Sequence, residues 1–334
     1  ALKDRNNFKG ILLADEPGIG QISNYRAVSE FIRTKAAMQG KTMFTSLIPY
    51  HMGYSVFEAG YGKGNDLDSK YRGYLNEFGS CLGLINPDIY PFGADSMLQN
   101  YFKNLEMTAA VAKGTADSGL TIQSFAAKSS DDTMILREMN SKEYYTYQMY
   151  SALAYGMKNI TYYTYWQHWG AIQEDEIHYN SLIDAKGAVN EPVYNAVKAA
   201  NEEIRKFDQV YMDFAWQGTM KATGRDSDGL LAQMPEYLNA RVNSFTATED
   251  TIMGCLKDSK GYDGFMLVNA TDPEDKYTSK VSIIFKDAQK AIVYVAGEVQ
   301  EVELTNGAYT AELAPGAGVF VIPFTGEEEA EEGN

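Results

Sequence analysis

The sequence predicts an α/β domain, whose parallel sheet is either a barrel or open, followed by an all-β sandwich domain. Two observations carry this prediction. Up to about residue 207, short apolar runs alternate with stretches of helical periodicity, whereas later runs are short, alternating and separated by turn residues. At ~150 residues per domain, the 334 residues have room for about two domains with sizeable cores.

The first part of the chain contains five predicted strand–helix units. Its first strand, residues 8–14, is an apolar run with no helical period that ends at a polar turn, residues 15–18. In the helix after it, residues 24–38, apolar residues recur three and four positions apart, and Gly40 supplies the stop. The same patterns predict the other elements: strand 41–48, helix 67–78, strand 84–90, helix 97–113, strand 120–126, helix 143–156, strand 159–166 and helix 191–207.

The second part of the chain is predicted to be a β-sandwich. Turn dipeptides such as Asn306-Gly307 and Pro315-Gly316 separate its apolar runs. These runs are residues 265–268, 281–285, 291–295, 301–304, 308–313 and 319–323. We place the boundary near residues 208–218, which gives domains 1–207 and 208–326 and an acidic tail, 327–334.

Composition limits the partners of the chain. A net charge of -16 disfavours nucleic acid, and no apolar run reaches the ~18 residues of a membrane span. Cys81 and Cys255 lie far apart without a CxxC motif, so we expect two buried thiols. Motifs for phosphate loops, zinc proteases and serine hydrolases are missing from the sequence, and we predict neither a metal nor an organic cofactor.

Polar and aromatic residues follow the predicted strands at their carboxyl ends, where ligands of parallel α/β sheets bind. They are Asp15, Glu16, His51, Asp88, Tyr90, Phe92, Gln123, Tyr165, Trp166, His168 and Trp169. Aromatic rings can stack on sugar faces, polar groups can bond hydroxyls, and carboxylic acids can supply the chemistry. This convergence indicates a carbohydrate site.

Some of these residues also have purely structural interpretations. Glu16 could cap a helix, although Pro17 is expected to hold it extended and aimed into the site. His51 could serve as a loop hydrogen-bonding residue, and Asp88 could simply end its strand. Glu143 is assigned to structure, since residues 140–143 (NSKE) are typical of a capping box.

Several segments of the sequence resemble segments of clan A glycoside hydrolases, particularly of the β-galactosidase-like enzymes. They are ILLADEPG, PDIYPF, YYTYQMYSALAYGMKNITYYTYW, LIDAKGAVNEPVYNAVKAANEEI and LAPGAGVFVIP. The resemblance implies a (β/α)8 TIM-type barrel in which strands four to eight are visible in this chain, followed by a β-sandwich. It also implies that Glu16, at the end of strand four, is the general acid/base.

The chain departs from the family pattern in two ways. Strands one to three of the barrel are missing, so a second chain or a missing N-terminal segment would complete it. At the end of strand seven, where the family has a nucleophilic Glu, the matching residue is Gln123. Glu138, in the loop after that strand, and Asp88 are the available substitutes, and Glu138 is slightly preferred.

The resemblance predicts a glycosidase that hydrolyses O-glycosidic bonds of an oligosaccharide or polysaccharide with two carboxyl groups. Tyr90, Phe92, Tyr165, Trp166 and Trp169 would form the sugar platform, together with Asp15, His51, Gln123 and His168 as further binding residues. The alternative is a non-catalytic carbohydrate-binding or structural module on a degenerate barrel. An extracellular or cell-surface location is expected for either.

Overall fold

The computed structural model describes residues 8–57, 66–168, 175–225, 227 and 229–325. The chain divides into two compact units. The first unit takes Ala1–Tyr90, Lys103–Ile122 and Met157–Thr161, and the second takes Pro91–Phe102, Gln123–Gly156 and Tyr162–Asn334. In this division, residues 123–156 and 162–207 group with the later β-strands. The domain boundary near residues 208–218 stays a prediction.

The regular elements are named in chain order. They are β1 (Gly10–Asp15), α1 (Ile22–Arg33), β2 (Thr42–Ser46), α2 (Leu67–Leu82), β3 (Leu84–Ile85), α3 (Tyr101–Ala112), β4 (Asp117–Gln123), β5 (Ala126–Ser129), β6 (Met134–Leu136), α4 (Lys142–Ala154), β7 (Asn159–Tyr163), β8 (Glu176–Tyr179), α5 (Glu191–Ile204), α6 (Asp208–Tyr211), β9 (Ala215–Ala222), β10 (Val242–Ala247), β11 (Thr251–Lys257), β12 (Asp263–Asn269), β13 (Ser279–Phe285), β14 (Lys290–Val295), β15 (Glu298–Glu303), β16 (Ala308–Leu313) and β17 (Gly318–Phe324).

The first unit is built on parallel strands. β1 pairs with β2 and β3 pairs with β4, both in parallel, and β7 lies beside β4. A parallel bridge between Leu47 and Pro87 joins the continuation of β2 to that of β3. Helices α1 and α2 connect the first three of these strands, as the α/β prediction requires. That prediction is confirmed, and the complete eight-stranded barrel stays a prediction.

Helix α2 supplies much of the core of the first unit. Its buried face includes Tyr71, Tyr74 and Phe78, spaced three and four residues apart. The helix begins after Asp66, whose side chain accepts a hydrogen bond from the Ser69 N–H, and ends at Gly83 in the left-handed conformation. It therefore runs four residues beyond its predicted end at residue 78.

The second unit contains a sandwich of two antiparallel sheets. One has the strand order β15-β14-β17-β12-β11-β9 and the other the order β10-β13-β16. Met253, Phe265 and Leu267 of the larger sheet share one buried cluster with Val281 and Ile283 of the smaller. The sandwich that the sequence predicts for the later part of the chain is thus confirmed by strands β9 to β17.

Helix α4 covers the other face of the larger sheet. Every residue of β12 is buried, which is typical of a strand covered on both faces. Phe265 and Leu267 point into the sandwich, so the alternating Met266 and Val268 belong to the opposite face, where α4 packs against β11 and β12. Gly254 permits this approach, since a Cβ there would lie 2.0 Å from the Ala154 carbonyl oxygen.

Candidate active site

Two acidic residues stand where β1 ends, and a third stands where β3 is continued. The Glu16 N–H donates to the Ser46 carbonyl at 2.9 Å, which extends the pairing of β1 with β2 by one residue. Asp88 follows β3 and forms a parallel bridge with Thr121 of β4. The ends of neighbouring strands thereby bring Asp15, Glu16 and Asp88 to the same edge of the first unit.

The backbone of Glu16 departs from the expected conformation. Its φ is 42°, in the left-handed region, whereas Pro17 predicts an extended residue. Such a φ costs a non-glycine residue of the order of 1 kcal/mol and persists only where surrounding contacts fix it. Here the contacts are the bond to Ser46 on one side and, on the other, a bond from the Tyr74 hydroxyl to the Pro17 carbonyl at 3.0 Å.

Glu16 and Asp88 form a hydrogen-bonded carboxyl pair. Asp88 is only 6% exposed, and burial together with the charges of Glu16 and Asp15 raises its pKa well above the usual range. A buried acid of this kind keeps its proton to a higher pH than an ordinary aspartic acid does. The hydrogen bond with Asp88 favours the charged form of Glu16 and lowers its pKa.

The pKa of Glu16 is nevertheless raised overall. Partial desolvation is the largest cause, the neighbouring Asp15 carboxylate is the second, and both outweigh the hydrogen bond from Asp88. The residue as a whole is exposed, so its carboxyl can be reached from solvent. Desolvation also raises the pKa of Asp15. The arrangement is that of an accessible acid beside a buried acid whose pKa is also raised.

Buried tyrosines and a threonine–asparagine network support the pair. Tyr74 accepts the Ile48 N–H at 3.1 Å while it donates to Pro17, so one hydroxyl joins the segments that follow β1 and β2. Thr121 receives the Asn86 side-chain amide at 2.8 Å and contacts the Thr161 hydroxyl at 3.0 Å. These bonds link the ends of β3, β4 and β7 and give the carboxyl pair a rigid base.

Two other predicted residues lie in the first unit. Tyr90 hydrogen-bonds Asp88 and lowers its pKa, an effect smaller than those that raise it. His51 lies in a 3-10 helix, Tyr50–Met52, where the residue is exposed overall although partial desolvation of its ring lowers its pKa. Tyr90 is therefore tied to the pair, and His51 is accessible to a ligand.

Gln123 and Phe92, in the second unit, are fully buried. The Gln123 side-chain oxygen accepts the Phe92 N–H at 3.0 Å, and its nitrogen donates to the carbonyls of Phe92 and Phe125, each at 3.3 Å. Phe92 packs edge to face against Tyr144, with ring centroids 5.0 Å apart. The sequence predicts that both side chains bind sugar. Both instead pack and hydrogen-bond inside the protein, and neither is accessible to a ligand.

The remaining predicted residues of the second unit are exposed. Tyr165 is 60% and Trp166 is 56% exposed, and these consecutive residues are separated from the end of β7 by Thr164. Glu138 is exposed and accepts a hydrogen bond from the Asn140 amide at 3.1 Å. His168 is exposed, with its Nε2 3.4 Å from the Tyr163 hydroxyl. Trp169 and the acidic tail lie outside the described residues.

Sequence reasoning missed a histidine–carboxylate pair on β8. The Nε2 of His178 lies 2.7 Å from Glu176 Oε1, and its ring packs on Phe125 with centroids 4.4 Å apart. Desolvation lowers the pKa of His178 despite the carboxylate. The sequence signal was a short alternation, EIHY, too brief to identify as a strand.

The described residues contain neither a candidate metal site nor a candidate membrane-spanning helix. Within the described ranges, no group of three or more His, Cys, Asp or Glu side chains has the geometry to hold a metal ion. No helix in that part of the chain combines the length and apolar character needed to cross a bilayer. Cys81 and Cys255 are both free and buried, as predicted.

Comparison with known proteins gives remote structural likenesses. No family model and no curated protein matches the chain. Among solved structures, a β-galactosidase from the psychrophilic Marinomonas ef1 is 11% identical with a TM-score of 0.38, over 57% of this chain and 27% of that one. A family 30 xylanase from Clostridium acetobutylicum is 10% identical with a TM-score of 0.28, over 93% of this chain and 88% of that one.

A third structure is the rhamnosidase from Novosphingobium sp. PP1Y, 8% identical with a TM-score of 0.49, over 90% of this chain and 38% of that one. The chain thus spans about a quarter of the β-galactosidase and well under half of the rhamnosidase. All three are glycoside hydrolases, the class that the sequence resembles. At this level of similarity none of them assigns an activity to the chain.

Proposed function

We propose that the chain is a carbohydrate-active enzyme of the glycoside hydrolase type, which cleaves O-glycosidic bonds of an oligosaccharide or polysaccharide. The observation that carries the proposal is the Glu16–Asp88 pair: an accessible carboxyl with a raised pKa, hydrogen-bonded to a buried carboxyl with a pKa raised further. Glycoside hydrolysis needs such an acid, because the leaving oxygen must be protonated as its bond breaks.

Glu16 is the general acid in this proposal. Its raised pKa keeps a larger share of the side chain protonated near neutral pH than an ordinary glutamic acid would have. When Glu16 transfers its proton to the glycosidic oxygen, the carboxylate left behind still accepts the hydrogen bond from protonated Asp88. Asp88 therefore stabilises the product form of the acid and does not touch the sugar.

The second carboxyl group of the mechanism is assigned to Glu138. Asp88 is hydrogen-bonded directly to Glu16, whereas the two groups of a glycosidase stand ~5–5.5 Å apart for retention and ~6.5–9.5 Å apart for inversion. No sugar carbon or water fits between hydrogen-bonded carboxyls. Glu138 is exposed and is not hydrogen-bonded to Glu16.

Sugar contacts are proposed for the accessible members of the predicted set. His51 and Tyr90 would bond hydroxyls, and Tyr165 and Trp166 would stack on sugar rings, since exposed neighbouring aromatics suit the apolar faces of pyranoses. We further propose that another strand, from a second chain or a preceding segment, covers the outer edge of β1, for which the described residues supply no partner.

The test begins with a screen of aryl glycosides and of plant and mucin polysaccharides. On a substrate so found, Glu16→Gln is expected to reduce kcat about 10²–10⁴-fold, the usual contribution of an acid catalyst. Sugar affinity should stay within a factor of two or three. Glu30→Gln, an exposed change on α1, is the matched control. Equal turnover by parent and Glu16→Gln would refute the acid role.

Glu138 is tested separately on the same substrate. If Glu138 is the nucleophile, Glu138→Ala loses turnover and external azide restores it by forming a glycosyl azide. Full activity of Glu138→Ala would remove this residue from the mechanism while leaving the role of Glu16 intact.

A non-catalytic carbohydrate-binding module is the second candidate function. One observation favours it: Gln123, which matches the family nucleophile, is fully buried and bonded to the backbone of Phe92 and Phe125. Saccharide binding without hydrolysis of any substrate in the screen would support this alternative.

A further inference from the structure

A cavity of about 700 Å³ lies within the second unit. The first turn of α4 contributes Glu143 and Tyr144, the 3-10 helix Pro273–Asp275 contributes Pro273 and Glu274, and the β16–β17 turn contributes Pro315. Lys276 completes the rim. The volume falls within the range of small-molecule sites, and none of these residues takes part in the chemistry proposed above.

Hydrogen bonds, an ion pair and a close backbone approach hold the walls of this cavity. Arg137 is buried and donates to both carboxylate oxygens of Asp272 at 3.0 and 2.8 Å, while it lies 3.0 Å from Glu274. The Tyr144 hydroxyl donates to Glu274 at 3.0 Å. On the opposite side, a Cβ on Gly316 would lie 2.1 Å from the Glu143 carbonyl oxygen, so the turn approaches α4 as closely as a glycine allows. The cavity is therefore preorganised.

Glu143 does not play the capping role that its sequence motif predicts. The N-cap of α4 is Ser141, and no side-chain cap hydrogen bond forms there. Within the described part of the chain, neither the Glu143 carboxylate nor the Lys276 ammonium takes part in a hydrogen bond or an ion pair. Lys276 also has a φ of 58°, in the left-handed region where a lysine is strained. A free acceptor and a free donor thus face one cavity.

We propose that this cavity is a second saccharide-binding site, separate from Glu16. Tyr144 and the two prolines provide apolar surface for the C–H face of a sugar, as in mostly apolar sites with a few placed polar groups. Glu143 and Glu274 accept hydrogen bonds from hydroxyl groups, and Lys276 donates to hydroxyl or ring oxygens. A neutral polyhydroxylated ligand uses both kinds of group.

The charges of the cavity disfavour other ligand classes. Two carboxylates against one ammonium repel phosphates and acidic polymers, in keeping with the net charge of -16. A cationic peptide could pair with the carboxylates but would meet Lys276. A neutral oligosaccharide faces neither conflict.

The test uses the double variant Glu143→Ala/Lys276→Ala, which leaves net charge unchanged and alters two side chains that have no hydrogen-bond or ion-pair partner among the described residues. Binding of cellotetraose, xylotetraose and β-1,4-galactotetraose is measured by calorimetry in a Glu16→Gln background, so that no ligand is consumed. The matched control is Glu298→Ala/Lys286→Ala, on exposed residues of the same sandwich. At least one saccharide should bind the parent, and the double variant should weaken one binding component tenfold or more.

The outcomes separate this proposal from the catalytic one. Turnover of a short aryl glycoside should be equal in the parent and in Glu143→Ala/Lys276→Ala, whether or not Glu16 proves to be the acid. Unchanged saccharide binding by the double variant would overturn the second site. Binding of tetralysine but of none of the saccharides would overturn it as well, in favour of a cationic-peptide site.

Discussion

At the scale of single residues, the chemical properties of the candidate site depend on the surroundings of Asp88 in the fold and not on a sequence motif. Asp88 ends a strand, and the sequence alone could equally assign it to structure. Only the fold shows that it is buried near Glu16, where desolvation and two neighbouring carboxylates raise its pKa well above the usual range. The environment of this carboxyl group therefore sets its pKa.

The raised pKa of Asp88 makes stability depend on pH. A carboxyl whose pKa is raised by folding contributes stability below its unfolded pKa of ~3.9, and this contribution is lost as pH rises through the folded pKa. Asparagine mimics the protonated acid and does not titrate. As pH rises from 4.5 to 8, the free energy of unfolding of Asp88→Asn should therefore increase relative to that of the parent. Urea unfolding at each pH measures this difference.

The control for this experiment is Asp117→Asn, an exposed change at the start of β4. It removes an exposed carboxyl group from the same unit, and its pH profile is the reference for that of Asp88→Asn. An Asp88→Asn profile parallel to that of the parent would mean that Asp88 is an ordinary ionised carboxylate.

Tyr74 contributes both to stability and to the conformation of Glu16. Tyr74→Phe keeps the ring but leaves the buried Ile48 N–H and the Pro17 carbonyl without their partner. An unsatisfied buried polar group costs ~1–3 kcal/mol, so the free energy of unfolding should fall by about that amount in urea titrations. Tyr25→Phe, whose ring packs on Phe78, is the control and should change it by less than ~0.5 kcal/mol. Equal stability of the two variants would contradict the role given to Tyr74.

At the scale of elements, close packing between helix and sheet depends on individual glycines. Gly254 of β11 meets α4 so closely that a methyl group would lie 2.0 Å from the Ala154 carbonyl oxygen. Gly254→Ala should therefore destabilise the protein by at least ~2 kcal/mol in thermal or urea unfolding, since backbone must move to admit it. Gly20→Ala, which meets nothing within 4 Å, should be nearly neutral. A neutral Gly254→Ala would show that α4 and β11 can separate without cost.

Elements with strong periodicity were predicted well, and short paired strands were not. Helices α2 and α4 lie within a few residues of their predicted positions, because apolar spacing is a local signal. Helix α1 starts near its predicted position but ends at Arg33, before the predicted stop at Gly40. Strands β5, β6 and β8 form an antiparallel sheet that the sequence did not predict. Each has only three or four residues, and their pairing depends on distant segments.

For the candidate site, too, the sequence predicts some features and not others. Glu16 and Asp88 follow strong apolar runs, so their arrival at one edge follows from strand order. The burial of Gln123 could not be predicted, because its partners Phe92 and Phe125 approach it only in the folded chain. The left-handed φ of Glu16 also runs against its local sequence.

At the scale of the whole molecule, each compact unit carries one buried thiol, so thiol chemistry can report on each unit. Cys81 lies in the first unit and Cys255 in the second, and both are free and buried. Burial raises the pKa of Cys255 to about 12, which leaves almost no reactive thiolate at neutral pH. Loss of the surrounding structure both exposes the sulfur and removes the cause of this shift.

We therefore expect an Ellman-type disulfide reagent to modify neither cysteine of the native protein on the timescale on which it modifies glutathione. Both should react in 8 M urea. The single-thiol variants Cys81→Ala and Cys255→Ala then follow one unit each, as the labelled fraction rises with urea concentration. Rapid modification of the remaining Cys255 in native Cys81→Ala would mean that the sandwich core opens readily, against its complete burial. Circular dichroism of each variant verifies that it is folded before labelling, so that a reactive thiol cannot be attributed to the substitution.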